Sequence, residues 1–366
     1  MKPRVLVSIV TYNSGFYLAR CLEALREQTY RDVITCLWDN ASQDDSIEIA
    51  AASGDLLHSS HFSTRNVGFC AAHNRLISAT DSEYVLVLNP DVYLESKYIE
   101  SLVEALENDP ASGAATGKLW RWTGDKEEKQ DPKPSAKPST NTGLSDTPSL
   151  SGQTRPKILD TTGIYFTRNQ RHLDRGSGER DVGQCERCEY VFGASGAAAF
   201  YRRKMLEEIK IEEEYFDESF FAYREDADLA WRAQWMGWRC LYVPAATAYH
   251  ARKVLPERRA SLPPAINMHS LKNRFLLRIK NMDLGTYGRN FLPITFRDLT
   301  ALAYVVLRER SSFRAFPLLF KALPAAWAAR KALQRHRRTS PAELRSWFSN
   351  QPVSKPVPPK QIDRSY

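Results

Sequence analysis

The alternation of apolar runs with amphipathic segments in the N-terminal part constrains the fold of this chain more than any other feature. Val5–Val10 and Val33–Trp38 are short apolar runs bounded by turn formers, as expected of buried strands. Between them, the apolar residues of Tyr17–Leu25 recur at the spacing of a helix that buries one face. Strands that alternate with helices are joined by crossovers and form a mostly parallel sheet covered by helices on both faces. The sequence therefore predicts an α/β fold.

The same alternation continues to about residue 260. The further predicted elements are helices over 46–52, 69–79, 99–106 and 226–238 and a strand over Tyr84–Leu88. Residues 124–157 interrupt the pattern, because they are rich in Pro, Ser, Thr, Lys and Asp and contain almost no large apolar side chain. Such a composition predicts a mobile surface insertion. We therefore predict a first domain over residues 1–260 that contains this insertion.

Basic charge is concentrated after this domain. The chain has a formal net charge of +8, and residues 250–350 carry 20 Lys or Arg against 5 Asp or Glu. Three apolar segments there, Leu271–Lys280, Leu299–Leu307 and Ala315–Ala329, are bracketed by arginines, and none reaches the roughly 18 apolar residues of a membrane span. We predict a basic amphipathic helical region over 261–350, which attaches to a membrane surface or packs on the first domain, and a Pro-rich tail over 351–366.

Compartment and partner classes follow from the N-terminus, the cysteines and the charge. The first apolar run is too short for a secretory signal and leads directly into a turn. The 6 cysteines lie in mostly apolar contexts, which is typical of buried thiols in a reducing compartment. Basic residues are not interleaved with aromatic residues as in nucleic-acid-binding modules. We expect a cytoplasmic protein, peripheral on the inner face of the cell membrane, that binds no nucleic acid.

Polar side chains follow three predicted strands at the point where each strand ends. They are Thr11, Tyr12 and Asn13 after the first strand, Asp39 after the second, and Asn89 and Asp91 after the third. Ligands of parallel sheets bind at the C-terminal strand ends. An aromatic ring can pack a base, one carboxylate can bind base or ribose donors, and a second can bind a divalent cation. Alternatively, Asp39 caps a helix and Asp91 forms a turn.

Three carboxylates open the helix predicted after the apolar segment Phe220–Tyr223. Glu225, Asp226 and Asp228 lie in its first turn. The preceding apolar side chains would remove a carboxylate from water and adjust its pKa for general-base catalysis. Acidic residues are also favourable at a helix N-terminus because of the helix dipole alone, so a structural role remains open.

Two later features complete the candidate set. Residues 193–199 carry only small side chains, a composition that lets the backbone approach a bulky ligand. His250 follows the apolar strand after the acidic helix, where it could be a metal ligand or a hydrogen-bonded polar residue of the core.

Six motifs occur in the order seen in family 2 glycosyltransferases, which this chain resembles over roughly residues 4–255. They are VSIVTYN at 7–13, DNASQDDS at 39–46, RNVGFCAAHN at 65–74, LNPDV at 88–92, FDESFFAYREDADLAWR at 216–232, and His250. The NPD form of the metal motif resembles the rhamnosyltransferase-like branch. The resemblance implies a GT-A fold, a nucleoside-diphosphate sugar donor and inversion at the anomeric carbon. The helical region predicted after residue 260 would be a C-terminal extension of this α/β fold.

The resemblance also implies roles for individual residues. Those expected to bind the nucleotide sugar are Thr11, Tyr12, Asn13, Asp39, Asn66, Gly68, Asn89 and Arg232. Asp91 and His250 are expected to hold a divalent cation, Mg²⁺ or Mn²⁺. Asn89 stands where the family has an acid, so the cation is expected to be held more weakly. Asp226 is expected to be the catalytic base, supported by Glu225 and Asp228.

From the residues and the resemblance together, we expect an inverting glycosyltransferase. Its donor would be dTDP-rhamnose or a related deoxysugar nucleotide, and its acceptor a lipid-linked molecule or a polysaccharide. One alternative is a sugar nucleotidyltransferase, which would need a Gly-rich phosphate loop with a basic residue, whereas VTYNSGFYL contains one glycine. The other alternative is a non-catalytic carbohydrate-binding protein.

Overall fold

The computed structural model describes residues 3–122, 157–252 and 263–358. The predicted alternation is confirmed in its first half, which consists of β1 (Val5–Thr11), α1 (Gly15–Arg26), β2 (Val33–Asp39), α2 (Ser46–Ala52), β3 (Leu57–Phe62), α3 (Phe69–Ser78) and β4 (Tyr84–Leu88). Strand β3 was not predicted, because only Leu57 of its residues is buried and its side chains show no apolar pattern.

The second half of the domain contains more strands than its sequence indicates. Its elements are β5 (Val92–Leu94), α4 (Tyr98–Asn108), β6 (Ser112–Arg121), β7 (Leu159–Thr161), β8 (Ile164–Phe166), β9 (His172–Asp174), β10 (Glu189–Val191), β11 (Ala198–Arg202), α5 (Arg203–Ile209), α6 (Glu225–Trp235) and β12 (Arg239–His250). Most of these strands have 3 to 5 residues, too few for a periodic pattern. The insertion predicted at 124–157 lies outside the described residues, apart from Lys157.

Within the described residues, the central sheet has 11 strands. Nine follow the order β13-β10-β12-β6-β11-β4-β1-β2-β3, where β13 is Lys355–Pro356, while β5 pairs with β12 and β7 with β6. Strands β3, β2, β1 and β4 are parallel, whereas β11 runs antiparallel between β4 and β6. The register aligns Thr11 with Asp39 and Ile9 with Leu88. The C-terminal ends of β2, β1 and β4 therefore meet at one edge of the sheet, as predicted.

The core lies around the middle of this sheet. Every residue of β1 and β4 is buried, as expected for central parallel strands covered on both faces. Each fully buried Val or Leu side chain there contributes about 1.5–3 kcal/mol to stability. The strand ends are thus held by a rigid core.

The predicted C-terminal helical region is confirmed. It contains α7 (Pro264–Asn281), α8 (Leu284–Arg289), α9 (Phe291–Arg308), α10 (Ala315–His336) and α11 (Pro341–Arg345), followed by β13 (Lys355–Pro356). None of the helices in the described ranges combines the length and apolarity that crossing a membrane requires. Strand β13 pairs with β10, so part of the predicted tail joins the sheet. Residues 359–366 lie outside the described part of the chain.

Candidate active site

The carboxylate of Asp39, the last residue of β2, is buried at the C-terminal edge of the sheet. It accepts hydrogen bonds from Thr11 Oγ1 at 2.8 Å, from Ser42 N at 2.8 Å and from Ser42 Oγ at 2.5 Å. Such donors must replace hydration when a carboxylate is removed from water. They fix the orientation of Asp39 and join it to Thr11. Since a carboxylate has roughly four acceptor positions, one remains for a further donor.

The loops beside Asp39 are shaped by their own hydrogen bonds. Asn13 has a φ of 50°, and its Oδ1 accepts from Gln43 N at 2.8 Å in the loop after β2. Asn66 Oδ1 accepts from Gly68 N at 2.9 Å. Gly68 has a φ of 91°, and a Cβ there would lie 2.6 Å from the ring of Phe221, so the position requires glycine. Tyr12 is 53% exposed at this edge, where its ring is accessible to a planar ligand.

His250, the last residue of β12, lies between two carboxylates. Its Nδ1 is 2.7 Å from Asp160 Oδ2, and its Nε2 is 3.4 Å from Asp91 Oδ1. Burial opposes the protonated form, but the charge of Asp91 and the hydrogen bond to Asp160 raise the pKa of His250 to about 10. The bond at Nδ1 directs Nε2 toward Asp91. Carboxylates hold metal-binding histidines in this way.

The two predicted metal ligands, Asp91 and His250, are therefore neighbours. Across the residues that the structure describes, no three His, Cys, Asp or Glu side chains converge in a way that could hold a metal ion. One carboxylate and one imidazole fit a divalent cation that takes its remaining ligands from a diphosphate and water, provided that the cation displaces the proton of His250. The residues present fit such a cation in a ternary complex with a nucleotide.

Asp160 was not predicted from the sequence, because no motif marks β7. Its buried carboxylate also accepts from Arg252 Nη1 at 2.9 Å, and Arg252 contacts Asp174 of β9 as well. These contacts join β7, β9 and the end of β12 beside the candidate cation ligands. The partner of His250 therefore comes from a strand 90 residues earlier in the chain.

Asp226 lies in the first turn of α6, and backbone N–H groups hold its carboxylate. It accepts from Gly196 N at 3.0 Å and from Ala227 N at 2.7 Å. The carbonyl of Ala197, the next residue after Gly196, accepts from Asn89 N at 2.9 Å. The loop before β11 therefore connects the predicted base directly to the strand end that carries Asn89.

Asp39, Asp91 and Asp226 thus lie along one edge of the sheet. β2, β1, β4 and β11 are consecutive strands of the sheet, and the loop that enters β11 anchors Asp226. Two interstrand spacings of about 4.8 Å separate β2 from β4. The structure brings the three predicted carboxylates together, and their chemical roles stay predictions.

The carboxyl group of Glu225 differs from that of Asp226. Burial, and then the charge of Asp226, raise the pKa of Glu225 to about 8. In the described residues, Glu225 Oε2 has no hydrogen-bond partner. A neutral Glu225 adds no negative charge next to the carboxyl group of Asp226. Glu225 can therefore hold a proton near neutral pH.

His172 of β9 is a further group near Asp226. Its Nε2 lies 3.9 Å from Asp226 Oδ1, which is too long for a direct hydrogen bond. Burial lowers the pKa of His172, so the imidazole is neutral at physiological pH. The sequence did not indicate this residue, because the short β8–β9 hairpin carries no recognisable motif.

Asp228 and Arg232 lie in the core and not at the sheet edge. Arg232 Nε donates to Asp228 Oδ2 at 2.9 Å, and Lys280 Nζ of α7 donates to the same oxygen at 2.7 Å. Arg232 also donates to the carbonyls of Ile209 and Tyr215. These contacts give both residues a structural role that joins α6 to α7. The expectations that Asp228 supports catalysis and that Arg232 binds the nucleotide sugar stay predictions.

Helix α7 also holds the loop that leads into Glu225. Phe221, Tyr223 and Arg224 have φ values of 67°, 72° and 72°, which non-glycine residues rarely adopt. Asn273 Nδ2 lies within hydrogen-bond distance of the carbonyls of Phe220, Ala222 and Tyr223, at 3.0, 2.8 and 2.7 Å. The ring of His269 stacks on Phe221 with centroids 4.6 Å apart. The C-terminal region therefore supports the predicted base.

The small side chains of 193–199 serve packing as well as the site. A Cβ at Gly193 would lie 2.3 Å from Ala230 Cβ, so this glycine allows the segment to contact α6. Ala198 and Ala199 are buried within β11. The expectation that the segment approaches a ligand stays a prediction. Gly196 is the member that reaches the carboxylate of Asp226.

Comparison with known sequences agrees with the family resemblance of the sequence motifs. The sequence model of "Glycosyl transferase family 2" matches residues 6–210. Two proteins of Mycobacterium tuberculosis, strains CDC 1551 / Oshkosh and ATCC 25618 / H37Rv, are each 31% identical over 265 residues, which is 67% of this chain and 75% of theirs. Both are named N-acetylglucosaminyl-diphospho-decaprenol L-rhamnosyltransferase. The glycosyltransferase GlyG of Streptococcus pneumoniae is 31% identical over 30% of this chain and 38% of its own length.

Solved structures show the same fold. GalNAc-T7 with UDP, GalNAc and Mn²⁺ superposes with a TM-score of 0.53 at 12% identity, over 76% of this chain and 48% of that chain. S. aureus TarS 1-349 in complex with UDP-GlcNAc superposes with a TM-score of 0.50 at 16% identity, over 94% of this chain and 90% of that chain. At such identities the likeness concerns the fold alone. The predicted GT-A fold is confirmed.

Proposed function

The chain belongs to glycosyl transferase family 2 and is a glycosyltransferase, and we propose that it transfers rhamnose or a related deoxysugar, with inversion, from a nucleoside-diphosphate donor to a hydroxyl of a lipid-linked or polysaccharide acceptor. The observation that carries the proposal is the anchoring of Asp226 at the loop that also binds Asn89. The names of the mycobacterial relatives support the sugar and a lipid-diphosphate acceptor.

The donor side would consist of the strand ends of β1, β2 and β4. Asp39, oriented by Thr11 and Ser42, has capacity for one donor of a base or ribose, and the exposed ring of Tyr12 could pack against the base. A divalent cation held by Asp91 and His250 would supply positive charge to the diphosphate leaving group. GalNAc-T7, which shares the fold, was solved with UDP and Mn²⁺, which supports a cation of this kind.

The acceptor side would depend on Asp226. Two backbone N–H groups orient its carboxylate and leave acceptor positions for a hydroxyl proton. In a single displacement, Asp226 removes the proton of the acceptor hydroxyl while that oxygen attacks C1 of the sugar and the C1–diphosphate bond breaks. Glu225, which keeps its own proton near neutral pH, adds no negative charge beside Asp226.

The exposed face of the C-terminal helices suggests peripheral attachment to a membrane. Large apolar side chains project into solvent from α9 and α10, including Leu292 (76%), Leu307 (74%), Phe320 (64%) and Trp327 (55%). Exposed apolar side chains on helices that also carry arginines are suited to an anionic lipid surface. Sedimentation with phosphatidylglycerol vesicles tests this part of the proposal, and absence of co-sedimentation at low salt would contradict it.

Transfer assays with Asp226→Asn test the catalytic assignment. The parent is assayed with a panel of nucleotide sugars that includes dTDP-rhamnose and with a polyprenyl-diphosphate-linked N-acetylglucosamine. The variant is expected to lose transfer by at least about 10²-fold, since a general base contributes about 10²–10⁴. Binding of the nucleotide sugar should be retained. The exposed Glu104→Gln serves as a control. Parent-like transfer by Asp226→Asn would refute the assignment.

A further inference from the structure

The β8–β9 hairpin places an imidazole beside the predicted base. His172 of β9 pairs with Phe166 of β8, and its Nε2 lies 3.9 Å from Asp226 Oδ1. No described residue forms a hydrogen bond with this Nε2, which is buried. Buried polar groups of native proteins are nearly always hydrogen-bonded. We therefore expect a polar group of a substrate to bind this nitrogen.

The hairpin is packed against α6, the helix that carries the predicted base. The ring of Phe166 contacts that of Trp231 in α6, with centroids 5.0 Å apart. Two hydrogen bonds from the C-terminal region hold the hairpin from its other side. Ser349 N donates to the carbonyl of Phe166 at 3.0 Å, and Arg297 Nη1 donates to the carbonyl of Gln170 at 2.8 Å. A side chain of this hairpin is thus preorganised relative to α6, as contacts with a reacting atom require.

The carboxyl group of Asp226 keeps an acceptor position on the oxygen that faces the hairpin. Oδ2 accepts from Gly196 N at 3.0 Å, and Oδ1 accepts from Ala227 N at 2.7 Å. A carboxylate oxygen has about two acceptor positions, so one remains on Oδ1. The side chains of Asp226 and His172 are 12% and 18% exposed, so both border solvent from which a substrate can approach.

One hydroxyl oxygen can bridge these two groups. Hydrogen bonds of about 2.8 Å to two atoms that are 3.9 Å apart meet at roughly 90° at the shared oxygen, within about 20° of the tetrahedral angle. A hydroxyl has one hydrogen for Asp226, one lone pair for an N–H of His172 and a second lone pair for C1 of the sugar. A neutral amine has a single lone pair, which its bond to C1 would use. The arrangement therefore favours a hydroxyl as the nucleophile.

The imidazole of His172 is suited to donate and not to act as a second base. Burial lowers the pKa of His172, so the ring is neutral near physiological pH. A neutral imidazole carries one N–H, and in the tautomer with this hydrogen at Nε2 the nitrogen cannot take a proton from a hydroxyl. Asp226 thus remains the group that accepts the proton.

We propose that His172 Nε2 donates a hydrogen bond to the acceptor hydroxyl oxygen whose proton Asp226 removes. The inference deepens the proposed function and rests on it. During transfer the O–H bond breaks and its proton goes to Asp226 Oδ1, while the oxygen bonds to C1 and the bond from C1 to the diphosphate breaks. His172 keeps its hydrogen throughout, and its N–H stabilises the negative charge that develops on the oxygen as the proton leaves. His172 is then a second catalytic residue on the acceptor side.

Three substitutions of His172 separate this hydrogen bond from a packing role. His172→Phe keeps a ring without a donor, His172→Gln places an amide N–H near the position of Nε2, and His172→Asn reaches only the position of Nδ1. Transfer by the full chain is measured with the nucleotide sugar that the parent uses and with polyprenyl-diphosphate-linked N-acetylglucosamine. His172→Phe and His172→Asn should lower kcat/KM for the acceptor by about tenfold or more, whereas His172→Gln should stay within about threefold of the parent.

Affinity for the donor is the second readout, because His172 is assigned to the acceptor side alone. The dissociation constant of the nucleotide sugar, measured by isothermal titration calorimetry with Mn²⁺, should equal that of the parent in all three variants. Exposed His58→Gln is the matched control and should behave like the parent in both measurements. Urea unfolding establishes that each variant is folded.

Two results would overturn the inference alone. Parent-like kcat/KM for the acceptor in His172→Phe would indicate a packing role, and so would equal losses in His172→Gln and His172→Asn. Weakened donor binding in the folded variants would place His172 outside the acceptor side and would also overturn it. If His172→Phe does not fold, the comparison of His172→Gln with His172→Asn decides. Absence of transfer by the parent from every donor of the panel would instead contradict the proposed function, and the inference with it.

Discussion

Replacement of Glu225 by Gln should stabilise the protein relative to the parent, and the difference should increase as the pH rises. Burial and the charge of Asp226 raise the pKa of Glu225 from an ordinary 4.5 to about 8. The folded protein therefore favours the protonated form of Glu225. Between about pH 4.5 and about pH 8, Glu225 loses its proton mainly in the unfolded chain, so the free energy of unfolding falls progressively as the pH rises. Gln keeps the shape and has no proton to lose. The penalty should disappear in the variant.

The magnitude follows from the shift. The pKa of Glu225 is about 3.5 higher in the folded protein than in the unfolded chain, and each pKa unit corresponds to about 1.36 kcal/mol. The free energy of unfolding of the parent is therefore lowered by about 5 kcal/mol when titration is complete. At about pH 5 the penalty is about 1 kcal/mol, so most of the effect develops between about pH 5 and pH 9. The free energy of unfolding of Glu225→Gln relative to the parent should thus increase by about 4 kcal/mol over this range.

Urea unfolding followed by tryptophan fluorescence at about pH 5, 7 and 9 measures this difference. Glu104→Gln is the control, because its exposed side chain should leave the free energy of unfolding within about 0.5 kcal/mol of the parent at every pH. A stability difference between Glu225→Gln and the parent that does not change with pH would refute the reasoning. It would mean that water or a bound cation solvates Glu225.

The remaining predictions concern the network around the site. Asp228→Ala should lower the free energy of unfolding by about 3–5 kcal/mol, because it leaves Arg232 buried without a carboxylate and Lys280 with Asp217 alone, and urea unfolding measures this. Asn273→Leu should lower kcat more than the affinity for the donor, since it releases the carbonyls of the loop before Glu225, and steady-state kinetics separate the two. Asp160→Asn should weaken Mn²⁺-dependent binding of a nucleoside diphosphate by about 10–100-fold, because it removes the carboxylate that orients His250, and calorimetry at increasing Mn²⁺ checks this.

Each of these predictions has an outcome that contradicts it. Unchanged unfolding of Asp228→Ala would mean that water reaches Lys280. Equal losses in kcat and in donor affinity for Asn273→Leu would indicate general unfolding of the loop. Nucleotide binding by Asp160→Asn that matches the parent at every Mn²⁺ concentration would exclude a positioning role for Asp160.

The donor side of the candidate site was largely predictable. Asp39 and Asp91 follow apolar strands that alternate with helices, and parallel strands must bring their C-terminal ends to one edge. The acidic start of α6 was also recognisable. These predictions succeeded because each depends on a local pattern and on a short connection between neighbouring elements.

The different environments of Glu225, Asp226 and Asp228 were not predictable. All three are acidic residues of one helical turn, and although the family resemblance singles out Asp226, neither composition nor spacing indicates that their surroundings differ. Tertiary packing gives the three side chains different surroundings. Glu225 is buried, Asp226 accepts a hydrogen bond from the loop before β11, and Asp228 pairs with Lys280 of α7. The same holds for His250, whose partner Asp160 comes from a strand of 3 residues after the insertion.

The sequence by itself determined the α/β architecture, the edge at which polar residues collect and the helical character of the C-terminal region. Hydrophobic periodicity and chain connectivity are local properties, and these features depend on them. The tertiary structure alone decided that α7 supports the loop before the predicted base and pairs with Asp228 of α6. Such contacts join residues far apart in the chain, and they form only because burial of the apolar faces fixes which helix packs on which.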